Sequence, residues 1–90
     1  MAETLARFDS AVSDGHGRLY VAEAWGRERE DGLWEGWVEF EDSLTGKVLP
    51  SSRETTQPNL DDLRYWASGL STVYLEGALN RILDAELSPR

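Results

Sequence analysis

The segment Leu33-Trp34-Glu35-Gly36-Trp37-Val38-Glu39-Phe40 decides the fold that this sequence predicts. Its large apolar residues recur with a period of two and it is rich in aromatic residues, which is typical of a β-strand. Alternate side chains of a strand point to opposite faces. One face is suited to a hydrophobic core and carries Trp34, Gly36, Val38 and Phe40. The opposite face carries Glu35, Trp37, Glu39 and Glu41.

The segment belongs to a predicted strand over residues 33–41, and a second strand is predicted before it, over residues 18–29. The side chains of the second strand alternate between two sets: Leu19, Val21, Glu23 and Trp25 on one face, and Tyr20, Ala22, Ala24 and Gly26 on the other. Asp31-Gly32 between the strands is a strong hairpin signal, and we expect a two-residue turn there. That turn would place Trp25 opposite Val38, so that the more apolar faces coincide.

Weaker strand signals flank this hairpin. Residues 5–12 are predicted as a strand, with a short helical turn as the alternative. After a reversal in which Gly46 suits the left-handed position of a bulged loop, residues 47–57 are predicted to return as a fourth strand. Pro50 cannot donate a hydrogen bond to a neighbouring strand, so this strand is expected at the sheet edge. The expected pairs are Phe40 with Val48, Glu41 with Lys47, and Glu35 with Arg53.

In the last third of the chain the periodicity changes to about 3.6 residues, which predicts helices. A first helix is expected over residues 60–68, with Asn59 as its N-cap. A second helix is expected over residues 72–86. Gly77 inside it costs about 1 kcal/mol relative to alanine, and we expect a close backbone contact there to explain it. Residues 88–90 are predicted to be a frayed end.

These elements predict a single α+β domain over residues 1–90. We expect an antiparallel meander of three to four strands with two C-terminal helices packed on one face. Helices lying across the face of Trp34, Val38 and Phe40 would bury their own apolar stripes together with that face. The opposite face would stay partly open, with Tyr20, Trp37, Glu35, Glu39 and Glu41 on it. In the same register Trp37 would cover Gly26.

The composition excludes several classes of function. The 90 residues include 17 acidic and 9 basic ones, a formal net charge of -8, which repels phosphate backbones and disfavours nucleic-acid binding. Cysteine is absent, which excludes disulfides and thiolate chemistry and suits a reducing cytoplasm. The N-terminus does not read as a secretory signal, and no apolar run approaches the ~18 residues of a membrane span. We therefore expect a soluble, cytoplasmic protein with neither a membrane nor a nucleic-acid partner.

The residues that carry chemistry do not form a recognisable catalytic or metal motif. His16 is the only histidine, and an exposed residue in a glycine-rich turn beside Asp14 is a simpler interpretation than a general base. Glu35, Glu39 and Glu41 share a strand face with neighbours about 7 Å apart. A solvated face is favoured there over a catalytic carboxylate pair, because catalysis requires one buried carboxylate with a raised pKa. We therefore predict a non-catalytic protein without cofactor or metal.

Four tryptophans in 90 residues are the one compositional anomaly. Trp25, Trp34 and Trp66 lie on predicted core stripes and are assigned to packing. Trp37 is the exception, because an apolar side chain on the predicted open face usually marks an interface; simple packing cover is the alternative. The polar segment 53–59 is a second candidate, since a sheet edge can accept a strand from a partner.

The leading hypothesis is a small protein-interaction domain that binds a protein partner or a second copy of itself. Its contact surface is predicted on the open face and at the edge strand, and it comprises Tyr20, Trp37, Glu39 and Arg53. The alternative hypothesis is a binding domain for a small cationic ligand. Its pocket would lie between sheet and helices, lined by Tyr65, Trp66 and Tyr74.

Overall fold

The computed structural model describes residues 1–87, which form one antiparallel sheet and two helices. The elements in chain order are β1 (Ala2–Arg7), β2 (Val12–Ser13), β3 (Leu19–Glu28), β4 (Trp34–Asp42), β5 (Val48–Pro50), β6 (Thr55–Gln57), α1 (Leu60–Ser68) and α2 (Thr72–Leu87). The strand order is β1-β3-β4-β5, with β2 also paired to β3 and β6 also paired to β4. Both helices pack on one face of the sheet. The predicted α+β fold is therefore confirmed, and the predicted frayed end, residues 88–90, lies outside the described residues.

The predicted central hairpin and both helices agree with the structure to within one or two residues at each end, whereas the flanking strands differ. The first strand runs from Ala2 to Arg7 and pairs antiparallel with β3, so this part of the chain joins the sheet. The predicted fourth strand is divided into β5 and β6, which both pair with β4. Between them, the Ser51 N–H donates to Val38 O and the Glu54 N–H donates to Gly36 O, both at 2.8 Å. The chain thus advances three residues where β4 advances two, which interrupts the strand.

The register of the central hairpin differs from the predicted one by a single residue. The Arg29 N–H donates to Leu33 O at 2.7 Å and the Gly32 N–H donates to Arg29 O at 3.0 Å, so the loop has three residues, 30–32. Gly32 has φ +84°, as expected for the left-handed residue that ends a loop of this length. Trp25 therefore pairs with Trp37, not with Val38. Because side chains alternate with a period of two, one residue of slip exchanges the two faces of β3.

This exchange overturns the predicted core face of β3. The buried residues of β3 are Tyr20, Ala22, Ala24 and Gly26, while Trp25 lies on the side away from the helices. Trp25 was expected in the core, Tyr20 on the open face, and Trp37 above Gly26, and these three predictions are wrong. The predicted core face of β4 is correct, since Gly36, Val38 and Phe40 are buried.

The next hairpin is also shifted by one residue. Phe40 pairs with Leu49 and Glu41 pairs with Val48, which makes Leu49 part of the core and leaves Val48 48% exposed. Glu35 faces Thr56. The expected pairs of Phe40 with Val48, Glu41 with Lys47 and Glu35 with Arg53 are therefore wrong. Gly46 does adopt the predicted left-handed conformation, with φ +77°.

Helix α1 is placed on the sheet by two glycines that face each other. Gly26 on β3 pairs with Gly36 on β4, and both lie on the core side. A Cβ at Gly26 would collide with the Leu63 side chain, and a Cβ at Gly36 would lie 2.8 Å from both Leu63 Cδ1 and Trp66 Cζ3. The absence of two side chains therefore creates the space in which α1 packs. Leu63 itself is completely buried.

Helix α2 covers the other half of the same face. Its buried residues Leu75, Ala78 and Leu79 join a core cluster with Phe40 and Ala22. Ser71 accepts a hydrogen bond from the Tyr74 N–H at 3.1 Å, and the predicted Asn59 N-cap of α1 accepts one from the Asp62 N–H at 2.8 Å. Neither helix within residues 1–87 has the length and apolar character needed to cross a bilayer.

Replacing Gly26 with alanine should destabilise the protein, because the added methyl group would collide with Leu63. We expect the free energy of unfolding to fall by about 1–3 kcal/mol, the usual range for overpacking, as measured by urea denaturation. If Leu63 is the cause, the same substitution should cost less in a Leu63→Ala background. Equal costs in the two backgrounds would contradict this packing.

Gly77 provides a matched glycine that lacks such a contact. A Cβ at this exposed position in α2 would meet no atom within 4 Å, so the close backbone contact that the sequence suggested is wrong. Gly77→Ala should therefore raise the free energy of unfolding by about 0.5–1 kcal/mol through helix propensity. A loss of stability in the same urea titration would show that the helix is packed more closely there.

Candidate interaction surface

The sheet face opposite the helices, called the open face below, has no element of residues 1–87 packed on it. Strand alternation and the observed register define its composition. From β3 it takes Leu19, Val21, Glu23, Trp25 and Arg27; from β4 it takes Glu35, Trp37, Glu39 and Glu41; and from β5 it takes Val48 and Pro50. The open face thus combines large apolar side chains with carboxylates.

Two tryptophans lie side by side at the centre of the open face. Trp25 and Trp37 are directly opposite each other on β3 and β4, and both are half-buried. Each indole N–H donates to a glutamate on its own strand: Trp25 Nε1 to Glu23 Oε1 at 3.3 Å, and Trp37 Nε1 to Glu39 Oε2 at 2.9 Å. The Arg27 guanidinium carbon lies 5.8 Å from the centre of the Trp37 ring, within the range of a cation–π contact. The two rings are therefore held in fixed orientations.

The charges of the open face are only partly compensated. Arg7 lies 3.6 Å from Glu23, and Arg27 lies 3.0 Å from Glu35. Glu39 faces Glu23 directly across the strands, an arrangement that is destabilising for like charges. Neither Glu39 nor Glu41 forms an ion pair within residues 1–87. This end of the open face would therefore attract a positively charged group.

The four residues predicted for the interaction surface do not all lie together. Trp37 and Glu39 are in contact on the open face. The exposed Arg53 lines a shallow depression of about 200 Å³ with Trp37 and Arg27, at the margin of the same face. Tyr20 is on the opposite side and only 4% exposed. Its placement on the surface is wrong because of the one-residue difference in the hairpin register.

Sequence reasoning missed the other half of the aromatic pair, Trp25. It also missed Leu19, which is 47% exposed, and Val21. One signal in the sequence could have identified them. Glu23 and Arg27 belong to the same alternation as Trp25, whereas the other alternation carries no charged residue from Tyr20 to Gly26. Unpaired charges avoid a core, so this contrast favours the observed face over the predicted one.

The three aromatic residues proposed to line a cationic-ligand pocket have separate surroundings. Tyr65 is 82% exposed. Trp66 packs against the backbone of Gly36. The Tyr74 hydroxyl donates a short hydrogen bond to the Glu54 carboxylate. Within residues 1–87 they do not form a common cage.

Two buried carboxylates lie away from the open face and hold loops in place. Asp42 accepts hydrogen bonds from the N–H groups of Leu44 and Thr45 and from Arg18. These bonds, the one from Leu44 above all, hold the pKa of Asp42 below its ordinary value despite burial. The carboxylate therefore fixes the loop between β4 and β5.

Glu54 connects the segment between β5 and β6 to helix α2. Its side chain is 3% exposed and receives two hydrogen bonds from Arg81, at 2.8 and 3.1 Å, as well as the one from Tyr74. Burial alone would raise the pKa of Glu54, but the hydrogen bonds from Arg81 and Tyr74 outweigh it and hold the pKa below its ordinary value. Such a bidentate arginine–carboxylate pair ties the helix to the sheet edge.

His16 is exposed in the turn before β3, where its backbone N–H donates to Asp14 Oδ1 at 2.7 Å. Within the described part of the chain, no three histidine, aspartate or glutamate side chains lie close enough together to hold a metal ion.

Comparison with known proteins gives no relationship: no family model matches the chain, and no curated protein or solved structure matches it significantly.

Replacing Glu54 with glutamine should alter how stability depends on pH. The folded-state pKa of Glu54 is lowered, so the unfolded chain binds more protons as the pH falls below about 4.3, and stability is lost there. We expect the Glu54→Gln variant to lose less stability than the wild type between pH 5 and roughly pH 3. Urea titrations across this interval measure the difference.

The matched control is Glu41→Gln, because the exposed side chain of Glu41 forms no ion pair or side-chain hydrogen bond within residues 1–87. It removes the same charge without disturbing a buried hydrogen-bonded carboxylate, so it should not reproduce the effect of Glu54→Gln. A Glu54→Gln profile identical to that of the wild type would contradict the contribution of this carboxylate.

Proposed function

We propose that this chain is a non-catalytic protein-interaction domain that binds its partner through the open face. The observation that supports this most strongly is the asymmetry of the sheet. Both helices cover one face, while the other presents the Trp25–Trp37 pair without a covering element in residues 1–87. Tryptophan is enriched among the residues that dominate binding energy at interfaces.

Further apolar side chains on the open face extend the contact area. Leu19 is 47% exposed and Val48 is 48% exposed, and Val21 lies next to Leu19 on the same face of β3. The Glu23–Glu39 pair separates them from the two tryptophans, and Glu41 lies between Val21 and Val48. Exposed apolar side chains usually mark an interaction site, and carboxylates among them add electrostatic selectivity. The fixed orientation of the two rings lowers the entropy cost of binding.

The charges favour a partner with basic side chains. Glu39 and Glu41 have no cationic partner within residues 1–87, and the formal charge of the chain is -8. Two copies of such a chain repel each other, so a different, basic protein fits this surface better than a second copy. A cytoplasmic location is part of the proposal and is suggested by the absence of cysteine.

The partner can be sought by placing a photo-crosslinking amino acid at position 19 in cells of the source organism, because Leu19 is exposed on the open face and its replacement leaves Trp37 in place. The same amino acid at position 65 is the control, since Tyr65 is exposed on the helix side, away from the open face. The proposal predicts a protein adduct at position 19 that position 65 does not give, and mass spectrometry identifies it. An adduct to a second copy of this chain would favour self-association.

Replacing Trp37 with alanine should weaken binding of the crosslinked partner by at least about tenfold, a typical effect for a central aromatic residue. Tyr65→Ala should leave affinity unchanged. Binding is measured by calorimetry, and circular dichroism verifies that both variants are folded. A folded Trp37→Ala variant with wild-type affinity would contradict the proposal.

The alternative function, binding of a small cationic ligand, predicts a different result. Millimolar choline or a polyamine would change the tryptophan fluorescence of the isolated chain, and no protein adduct specific to position 19 would form. The proposal of a protein partner predicts no fluorescence change with these ligands.

A further inference from the structure

A groove runs along the free edge of β5, between this strand and helix α2, and is called the edge groove below. It has a volume of about 330 Å³. One wall is formed by residues 49–52, and the facing wall is formed by Ala78, Ile82 and Ala85 of α2. A further depression of about 410 Å³ continues it beneath Lys47 and shares Leu49 and Glu86 with it.

The strand wall of the edge groove presents unpaired backbone groups. On either side of β5, the Lys47 carbonyl accepts from the Asp42 N–H and the Ser51 N–H donates to Val38 O, both towards β4. Because these groups alternate along an antiparallel strand, the N–H and C=O of Val48 and the C=O of Pro50 point away from β4. No strand of residues 1–87 pairs with β5 on that side. This edge is therefore a template for one further strand.

The opposite edge of the sheet is less suited to strand addition. Its strand β1 has a register irregularity between Thr4 and Ala6, and a bulge of this kind discourages further pairing. Helix α1 lies beside β1 as well, where Arg64 is 3.5 Å from Glu3, but at β5 the strand and the helix are separated by an open groove that can take the side chains of an added strand. Peptide-binding domains that extend a sheet obtain affinity from the edge backbone and specificity from such side-chain contacts.

The charges of the edge groove are balanced, unlike those of the open face. Arg81 is neutralised by its two hydrogen bonds to Glu54. Lys47 and Glu86 lie on its two sides, and neither forms an ion pair within residues 1–87. The floor is apolar, with Leu49 and Ala78 buried and Ile82 half-buried. A segment with apolar side chains and no net charge therefore complements it.

We infer that the edge groove binds an extended, uncharged peptide segment of a protein partner, which joins the sheet as a strand along β5. Alternate side chains of the peptide contact Ala78, Ile82 and Ala85, while its backbone bonds to Val48 and Pro50. The inference rests on the proposed role in protein binding but uses a surface other than the open face. The two surfaces share Val48 and Pro50 of β5, so they are separated by Ala85→Trp, which alters only the groove, and Trp37→Ala, which alters only the open face.

The test is selection of random peptides displayed on phage against the full chain, followed by affinity measurement with the selected synthetic peptides. Val48→Pro removes the outward N–H of β5, and Val48→Ala retains it. Loss of one backbone hydrogen bond should weaken binding by about fivefold in the proline variant, with little change in the alanine variant. Ala85→Trp fills the helix wall and should also weaken binding.

Amide-correlation NMR spectra verify that each variant is folded. If the Val48→Pro variant is unfolded, the Ala85→Trp variant alone provides the test. The inference is supported if the affinity of the selected peptides changes little between low and high salt and is unaffected by Trp37→Ala. Selected peptides that bind the folded groove variants as tightly as the wild type would overturn it. A selection that yields only peptides sensitive to Trp37→Ala would also overturn it, while supporting the proposed function of the open face.

Discussion

The packing of Leu63 against two facing glycines sets which face of the sheet is covered by helix α1. Gly26 and Gly36 are cross-strand partners on the covered side of the sheet, and their missing side chains leave the space that Leu63 fills. A helix can approach a sheet this closely only where side chains are absent. This contact therefore determines which face α1 covers, and with it which residues are left on the other side.

The pair next to the two glycines in the β3–β4 register is the Trp25–Trp37 pair, and its position follows from the glycine packing. Trp25 and Trp37 are adjacent to the two glycines along the same strands, and alternation directs them to the opposite face. The glycine pair and the tryptophan pair are thus neighbours in the register that lie on opposite faces of the sheet. Small residues admit the helix on one side, and large aromatic residues remain available for a partner on the other.

The sequence predicted the elements well but not how the strands align. Periodicity identified the central hairpin, the helices and the core face of β4, because each depends on local pattern alone. The register depends on loop length, and Asp31-Gly32 is compatible with both a two-residue loop and the observed three-residue loop over residues 30–32. One residue of difference exchanged Tyr20 for Trp25 on the open face. Glu23 and Arg27 could have distinguished the two registers, because the predicted register places these charged residues on the core face and the observed one does not.

The two candidate surfaces differ in chemistry because different parts of the fold create them. The open face results from the packing of both helices on one side, and its uncompensated carboxylates Glu39 and Glu41 favour a basic partner. The edge groove exists because Glu54 ties Arg81 of α2 to the chain just beyond β5. It is apolar and nearly neutral. The helix wall of the edge groove could not be predicted from the sequence, since Glu54 and Arg81 are 27 residues apart and their contact depends on tertiary structure.

The packing of Leu63 on the glycine pair is tested most directly by a nuclear Overhauser spectrum of the isotope-labelled chain with assigned Leu63 methyl groups. We expect cross-peaks from these methyl groups to the α-protons of both Gly26 and Gly36, and none to the indole ring of Trp25. Cross-peaks to the Trp25 ring, without those to the two glycines, would mean that the helix covers the other face. That result would contradict the packing, the register and the assignment of the open face together.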